Sequence, residues 1–208
     1  MRSDVLVVAQ PGRLPRIECH GGLAARHTEP DTVHLVSAAA TPLGGDTISI
    51  RLIVEPGARL RLRSAAATVA LPGAATTESR ACWHIENAGE LDLDPEPTVV
   101  AADARHLSEL TVWAADTSRL RIRERVQIGR TGEHEGFWSG AMRADVAGTP
   151  LLRHRVELGP GAVADDALGT PLACVSELRY PEPADDAAGV TLTLAAGGSI
   201  STWQGARL

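Results

Sequence analysis

Aliphatic and polar residues alternate with a period of two at intervals along most of this chain, and nothing else in the sequence constrains its fold as strongly. The segment Ala58-Arg59-Leu60-Arg61-Leu62-Arg63 shows it almost perfectly; Glu90-Leu91-Asp92-Leu93-Asp94, Leu120-Arg121-Ile122-Arg123, Arg153-His154-Arg155-Val156-Glu157-Leu158 and Val190-Thr191-Leu192-Thr193-Leu194 repeat it. Successive side chains of an extended strand point to opposite faces, so each segment buries one row of aliphatics and leaves its charges outside. Residues 47–55 begin the series, and no segment carries an apolar stripe at helical spacing over more than two turns. The expected fold is therefore all-β with a few short helices at most, a β-helix-like or layered β-sheet scaffold. At 208 residues the default is one domain spanning 1–208.

Breakers such as Glu55-Pro56-Gly57, Asn87-Ala88-Gly89 and Gly159-Pro160-Gly161 separate the strands where tight connections need a positive or fixed φ. Val54-Glu55-Pro56-Gly57, Ile85-Glu86-Asn87-Ala88-Gly89 and Val156-Glu157-Leu158-Gly159-Pro160-Gly161 echo one another, each placing an aliphatic, a Glu and a Gly turn before another strand, as coils of a β-solenoid do. Pro181-Glu182-Pro183-Ala184-Asp185-Asp186 reads as an exposed acidic loop.

Several function classes are excluded by composition. A formal net charge of -6 opposes binding to phosphate backbones, and with one Phe, one Tyr and four Trp there are few platforms on which bases could stack, so no nucleic-acid partner is expected. There is no lysine, which removes the P-loop lysine and Schiff-base chemistry. Cys19, Cys82 and Cys174 are odd in number and far apart, which fits reduced thiols in a cytosol and not a disulfide framework. No apolar run approaches the roughly 18 residues of a membrane helix, and the stretch from Val5 to Ala9 is too short for a secretory core. The expectation is a soluble cytoplasmic protein with no membrane partner.

Enzyme motifs are also missing. Ser139 precedes Gly140 without a nucleophile elbow, His134-Glu135 lacks the second His of a zincin, and no Gly-rich phosphate cradle occurs. The seven histidines, His20, His27, His34, His84, His106, His134 and His154, are isolated in sequence, which removes the cupin pattern. For each the plainer reading is a surface or satisfied histidine. Two carry more interest: His84, two residues after Cys82 on one strand face, as a weak metal-ligand pair, and His134 beside Glu135. Trp83, Trp113, Trp138 and Trp203 read as core or interface anchors, at least two of them core, with an exposed one marking a protein-binding spot.

Two segments resemble the UreD (UreH) family. The first runs from Val33-His34-Leu35-Val36 through Pro42-Leu43-Gly44-Gly45-Asp46 to Val54-Glu55-Pro56-Gly57-Ala58 and Ala65-Ala66-Ala67-Thr68. The second runs from Ala88-Gly89 through Leu93, Pro95-Glu96-Pro97-Thr98, Ser118-Arg119-Leu120 and Gly129-Arg130 to Glu135, Phe137, Gly140 and Pro150-Leu151-Leu152. Together they cover residues 33–158. The resemblance implies a non-enzymatic scaffold that binds UreF, which recruits the GTPase UreG, the whole docking on apo-urease to deliver nickel.

It further implies no tightly bound cofactor, only transient nickel on an internal path lined by acids, for which Asp46 and Glu135 are the matching positions, with His134 standing where the family has Gly. Oxygen ligands hold nickel less tightly than thiolates or imidazoles, which suits transit. The plainer reading of Asp46 is a turn cap. Gly44, Gly45, Gly57 and Gly140 read as conformational. Family members usually continue past the position of Trp203 into a helical segment, so a UreF contact smaller or differently made is expected. Two other readings stay open: an all-β hydrolase or lyase using Glu133 and Glu135 as acid and base, and an interaction module with no ion path.

Overall fold

The structure is a computed structural model that describes residues 1–163, 165, 170–184 and 189–208. These residues form seventeen strands and no helix, not even the few short ones allowed for. In chain order they are β1 (Arg2–Ala9), β2 (Arg16–His20), β3 (Leu23–Glu29), β4 (Thr32–Ser37), β5 (Thr47–Val54), β6 (Arg59–Ser64), β7 (Thr68–Ala70), β8 (Glu78–Asn87) and β9 (Glu90–Leu93). Then follow β10 (Thr98–Val100), β11 (Arg105–Ala114), β12 (Arg119–Ile128), β13 (Phe137–Val146), β14 (Thr149–Leu158), β15 (Ala173–Tyr180), β16 (Val190–Thr193) and β17 (Ser199–Gly205).

The strands build two facing sheets. The first has the order β14-β13-β11-β8-β5-β1-β2; the second runs β16-β17-β15-β12-β9-β6-β4-β3, with β10 and β7 beside the far half of β12. The centre is a solenoid: β5, β8, β11 and β13 stack parallel in the first sheet, and β4, β6, β9 and β12 stack parallel in the second. The chain crosses between the sheets twice per coil, and the Gly turns at Gly57 and Gly89 serve the crossing from the first sheet to the second. Val54, Asn87 and Ala114 lie in register, so two of the three sequence echoes mark equivalent corners. The third does not, because Val156 sits on β14, which pairs antiparallel with β13 outside the stack.

The alternation decides both faces. Leu60, Leu62, Leu91, Leu93, Leu120 and Ile122 are buried between the sheets. Their charged neighbours form a ladder outside, where the parallel register sets Arg59, Glu90 and Arg119 side by side, then Arg61, Asp92 and Arg121. Opposite charges thus meet across strands: Arg63 lies 2.5 Å from Asp92, and Arg121 lies 3.2 Å from Asp92 and 3.1 Å from Glu177. Each half-exposed pair contributes at most about 1 kcal/mol, but a one-residue slip would turn the leucines outward and bury the charges among them, so the alternation fixes register.

The interior holds two apolar clusters. The larger includes Leu52, Leu62, Leu93, Leu110, Ile122, Met142, Leu152 and Leu178; the smaller includes Ala104, Val126, Trp138, Val156 and Cys174. Trp138 is fully buried, Trp83 packs against the larger cluster, Trp203 is half-buried and Trp113 is exposed. Pro181, Glu182 and Pro183 are exposed as expected; Asp185 and Asp186 lie outside the described residues.

Candidate functional site

On each inner strand the change from one apolar cluster to the other falls on a polar or very small residue. It is His106 and Ser108 between Ala104 and Leu110, Glu124 between Ile122 and Val126, and Gly140 between Trp138 and Met142. It is His154 between Leu152 and Val156, and Ser176 between Cys174 and Leu178. These positions line up across the fold and form a polar seam through the interior.

At the centre of the seam Ser108 Oγ on β11 donates a 2.7 Å hydrogen bond across the sandwich to Glu124 Oε1 on β12. Among the described residues no arginine pairs with Glu124; its flanking Arg123 and Arg125 point to the outer face and bind Asp94 and Glu177. Burial pushes the Glu124 carboxyl up to about 7, against the downward pull of the Ser108 bond. Beside it His106 holds Ser79 Oγ at 2.9 Å through Nδ1, and burial drives the imidazole down to about 4, so it is neutral. Further along, Ser176, which faces Glu124 in register, lies 3.5 Å from His154 Nε2 and 3.6 Å from Cys174 Sγ. Burial raises the Cys174 thiol to about 11 and lowers the His154 imidazole.

A cavity of about 240 Å³ borders His106, Ser108 and Glu124. It reaches the surface where the second sheet parts: β12 pairs with β9 over residues 119–122 and with β10 over residues 126–128, leaving 123–125 without a neighbour on that side. The chain bends away there at Asp94-Pro95-Glu96-Pro97, held by Arg125, whose Nη2 donates to Pro95 O at 2.7 Å and Asp94 at 3.2 Å. Glu96 and Ser64 border the opening, joined by a 2.9 Å bond from Glu96 N to Ser64 Oγ.

The residues singled out from sequence divide between inside and outside. Asp46 is buried at the start of β5, beside Ser79, since Arg80 N bonds to Asp46 O. Its carboxylate accepts bonds from Leu43 N and Thr41 Oγ1, each 2.9 Å, and from the Met1 amine at 2.5 Å. Burial pulls its pKa upward, but these donors outweigh it and hold the carboxyl below its usual range. Thr41 borders the cavity, so Asp46 shapes its wall while its own oxygens are engaged. A Cβ on Gly44 would meet Thr76 O at 1.8 Å, which fixes glycine in that turn; Gly45 and Gly57 have positive φ. Gly140 lies under the Trp138 ring, where a Cβ would stand 2.1 Å from the indole.

Glu135 and His134 are exposed on the loop between β12 and β13 and make no hydrogen bond or ion pair among the described residues. Glu133 is tied down by Arg130 and by the amides of Ala102 and Arg130, which hold its carboxyl at about 2. The pocket beside this loop borders Glu133 and His134 but not Glu135. An acid and a base sharing one cleft, as glycoside-type hydrolysis needs, do not arise from this pair. Cys82 and His84 lie on the outer face of β8, with His84 stacked on Trp113 at 6.4 Å, so they face away from the seam. No three His, Cys, Asp or Glu side chains among the described residues gather as a metal cluster, and no helix there is long and apolar enough to cross a membrane.

Sequence reasoning passed over the seam. Its signal was present: in Leu120, Ile122, Glu124, Val126 and Ile128 the inward row carries one acid, and in His106, Ser108, Leu110 and Val112 it opens on two polar residues.

A family model described as UreD urease accessory protein matches residues 13–201. A protein named urease accessory protein UreD from Frankia alni is 43% identical over 185 residues, covering 77% of this chain and 62% of its own length. Urease accessory protein UreD 1 of Saccharopolyspora erythraea is 43% identical over 148 residues, covering 70% and 58%, and the Frankia casuarinae UreD is 39% identical over 204 residues, covering 88% and 64%. The chain thus spans about six-tenths of the length of these curated relatives.

Proposed function

The chain belongs to the UreD family of urease accessory proteins, and on that premise we propose that it is a non-catalytic, single-domain scaffold of the cytoplasm that passes nickel toward apo-urease. In this reading it is held in one assembly with UreF and the GTPase UreG, and GTP hydrolysis stays with UreG. The ion is cargo, bound in passing and not kept.

One observation carries the reading: the cavity that opens through the parted second sheet onto His106, Ser108 and Glu124. A cation entering beside Glu96 leaves water for a wall that offers one carboxylate and one neutral imidazole. Burial of a charge is costly unless such groups replace its hydration. With no third ligand gathered there among the described residues, the ion gains contacts at each station without a complete coordination shell, which favours movement over retention. Ser176, Cys174 and His154 continue the row. Asp46 serves by shaping the cavity wall through Thr41, whereas Glu135 and His134 are placed to meet the ion or a partner at the surface. Glu124 carries the interior path.

The test is co-expression of the tagged chain with UreF, UreG and apo-urease, reading complex recovery, nickel content and urease activity. Glu124→Ala and His106→Ala are expected to leave the complex intact and lower nickel loading, with Glu135→Ala weaker in effect. A complex that forms and activates urease equally well with Glu124→Ala would reduce the protein to an interaction module without an ion path. Failure to recover any complex would remove the scaffold role itself.

A further inference from the structure

Apart from the three-residue β7, which pairs with β10 and is bridged at Leu71 to Leu43, four strands end the two sheets among the described residues, and three of them carry features that discourage pairing with another chain. β2 presents Arg16, Glu18 and His20; β3 carries Arg26 and an irregularity between His27 and Glu29; β14 has Pro150, Arg153, Arg155 and a bulge opposite residues 144–145. Charge, proline and bulges are the usual means by which proteins blunt an open edge. β16, Val190-Thr191-Leu192-Thr193, has none of them, and all four of its residues are exposed.

Its two faces differ. Val190 and Leu192 lie in register with Thr202 and Ile200 of β17, hence with Ser176 and Leu178 of β15, on the side that faces the core elsewhere. Yet they are 66% and 60% exposed, because the first sheet stops at β14 and no strand of it contacts β16 or β17 extensively. The opposite flank is closed by contacts of β3 with β2 and β1. The backbone has a direction too. Leu194 N bonds to Gly198 O, so by the alternation of an antiparallel pair Val190 and Leu192 turn their N–H and C=O groups to β17, and Thr191 and Thr193 turn theirs to the open side.

We propose that β16 is the pairing edge of a homodimer, in which two copies of this chain join their β16 strands antiparallel about a two-fold axis through Thr191. The register is fixed by face parity. Thr191 meets Thr191 of the second copy in a pair that exchanges both backbone hydrogen bonds, and Val190 meets Leu192 of the second copy on the uncovered side. The occupant is a second copy because the strand is self-complementary in this register: apolar faces apolar, threonine faces threonine, and no charge stands on β16 to repel its mate across the axis, although each copy carries a net charge of -6. An isologous pair also uses up the open side of β16 in both copies and leaves none of it to propagate. The pairing stands independently of the nickel reading. With only four residues per strand it is a weak, concentration-dependent contact.

Sedimentation velocity on the full chain from about 1 to about 300 μM tests it. The wild type is expected to pass from monomer to dimer over that range. Thr191→Pro, which removes the outward N–H and the 2.9 Å hydroxyl bond to Ser201 but leaves the backbone bonds of Val190 and Leu192 to β17 in place, and Leu192→Lys, which brings like charge onto the apolar side, are each expected to weaken the dimer about tenfold or more with unchanged far-UV circular dichroism. A wild type that stays monomeric at the top of the range overturns the proposal, and so does a Thr191→Pro chain that dimerises like the wild type, whatever Leu192→Lys does.

Discussion

Ser108 and Glu124 face each other from opposite sheets, and the 2.7 Å hydrogen bond between them spans the sandwich at the centre of the polar seam. It stabilises the carboxylate only in part, since burial still leaves the group titrating near 7 where its ordinary value is 4.5.

Stability should therefore depend on pH through this residue. Between about 4.5 and 7 the folded chain holds a proton on Glu124 that the unfolded chain has released, so stability falls as pH rises across that window and levels off above it. Glu124→Gln removes the titration and keeps an acceptor for Ser108. Urea unfolding should show the variant more stable than the wild type by about 1–3 kcal/mol at pH 8 and similar to it near pH 5.

Gly140→Ala should be costly although the strand is regular there. A Cβ at that position would stand 2.1 Å from the Trp138 ring, which is 2% exposed and has no free space to turn into. A loss of about 2–3 kcal/mol in urea is expected. A near-neutral result would mean the indole is free to turn aside.

Cys174 should resist thiol reagents in the native chain. It is buried, and burial raises its thiol to about 11, so at pH 8 both access and thiolate are lacking. Mass-spectrometric labelling should find the half-buried Cys19 and Cys82 modified first. Cys174 should react about a thousandfold more slowly than in the urea-unfolded protein.

Glu133→Ala should loosen the loop between β12 and β13 without unfolding the core. The carboxylate receives the Ala102 amide at 3.0 Å and the Arg130 amide at 3.1 Å, and it joins the Arg130 guanidinium. Amide exchange at Ala102 and Arg130 should accelerate by about tenfold or more, with the urea midpoint unchanged.

Much of the fold could be read along the chain. The alternation at Leu60 and Leu62, Leu91 and Leu93, and Leu120 and Ile122 assigns strands and their buried faces locally, and the Gly57 and Gly89 corners mark the coils, because side-chain direction and turn geometry depend on neighbours a few residues away. The family resemblance came from the same local order. The echo at Val156 misled for that reason: a Gly turn after an aliphatic and a Glu looks the same whether the strand joins a parallel stack or turns back antiparallel.

The site was a different matter. The family resemblance offered Asp46, Glu135 and His134 as candidates for an ion path; in the fold Asp46 caps its own turn, as the plainer reading had it, and Glu135 and His134 lie on an exposed loop. The alternation alone puts Glu124, Ser108, His106, Ser176 and His154 on inward faces. Which of them meet depends on how 17 strands stack in two sheets, and on the parting of one sheet between residues 93 and 98. Ser108 and Glu124 come together because parallel register along each sheet and the packing of the sheets on each other are set by long-range contacts, to which no period in the sequence corresponds.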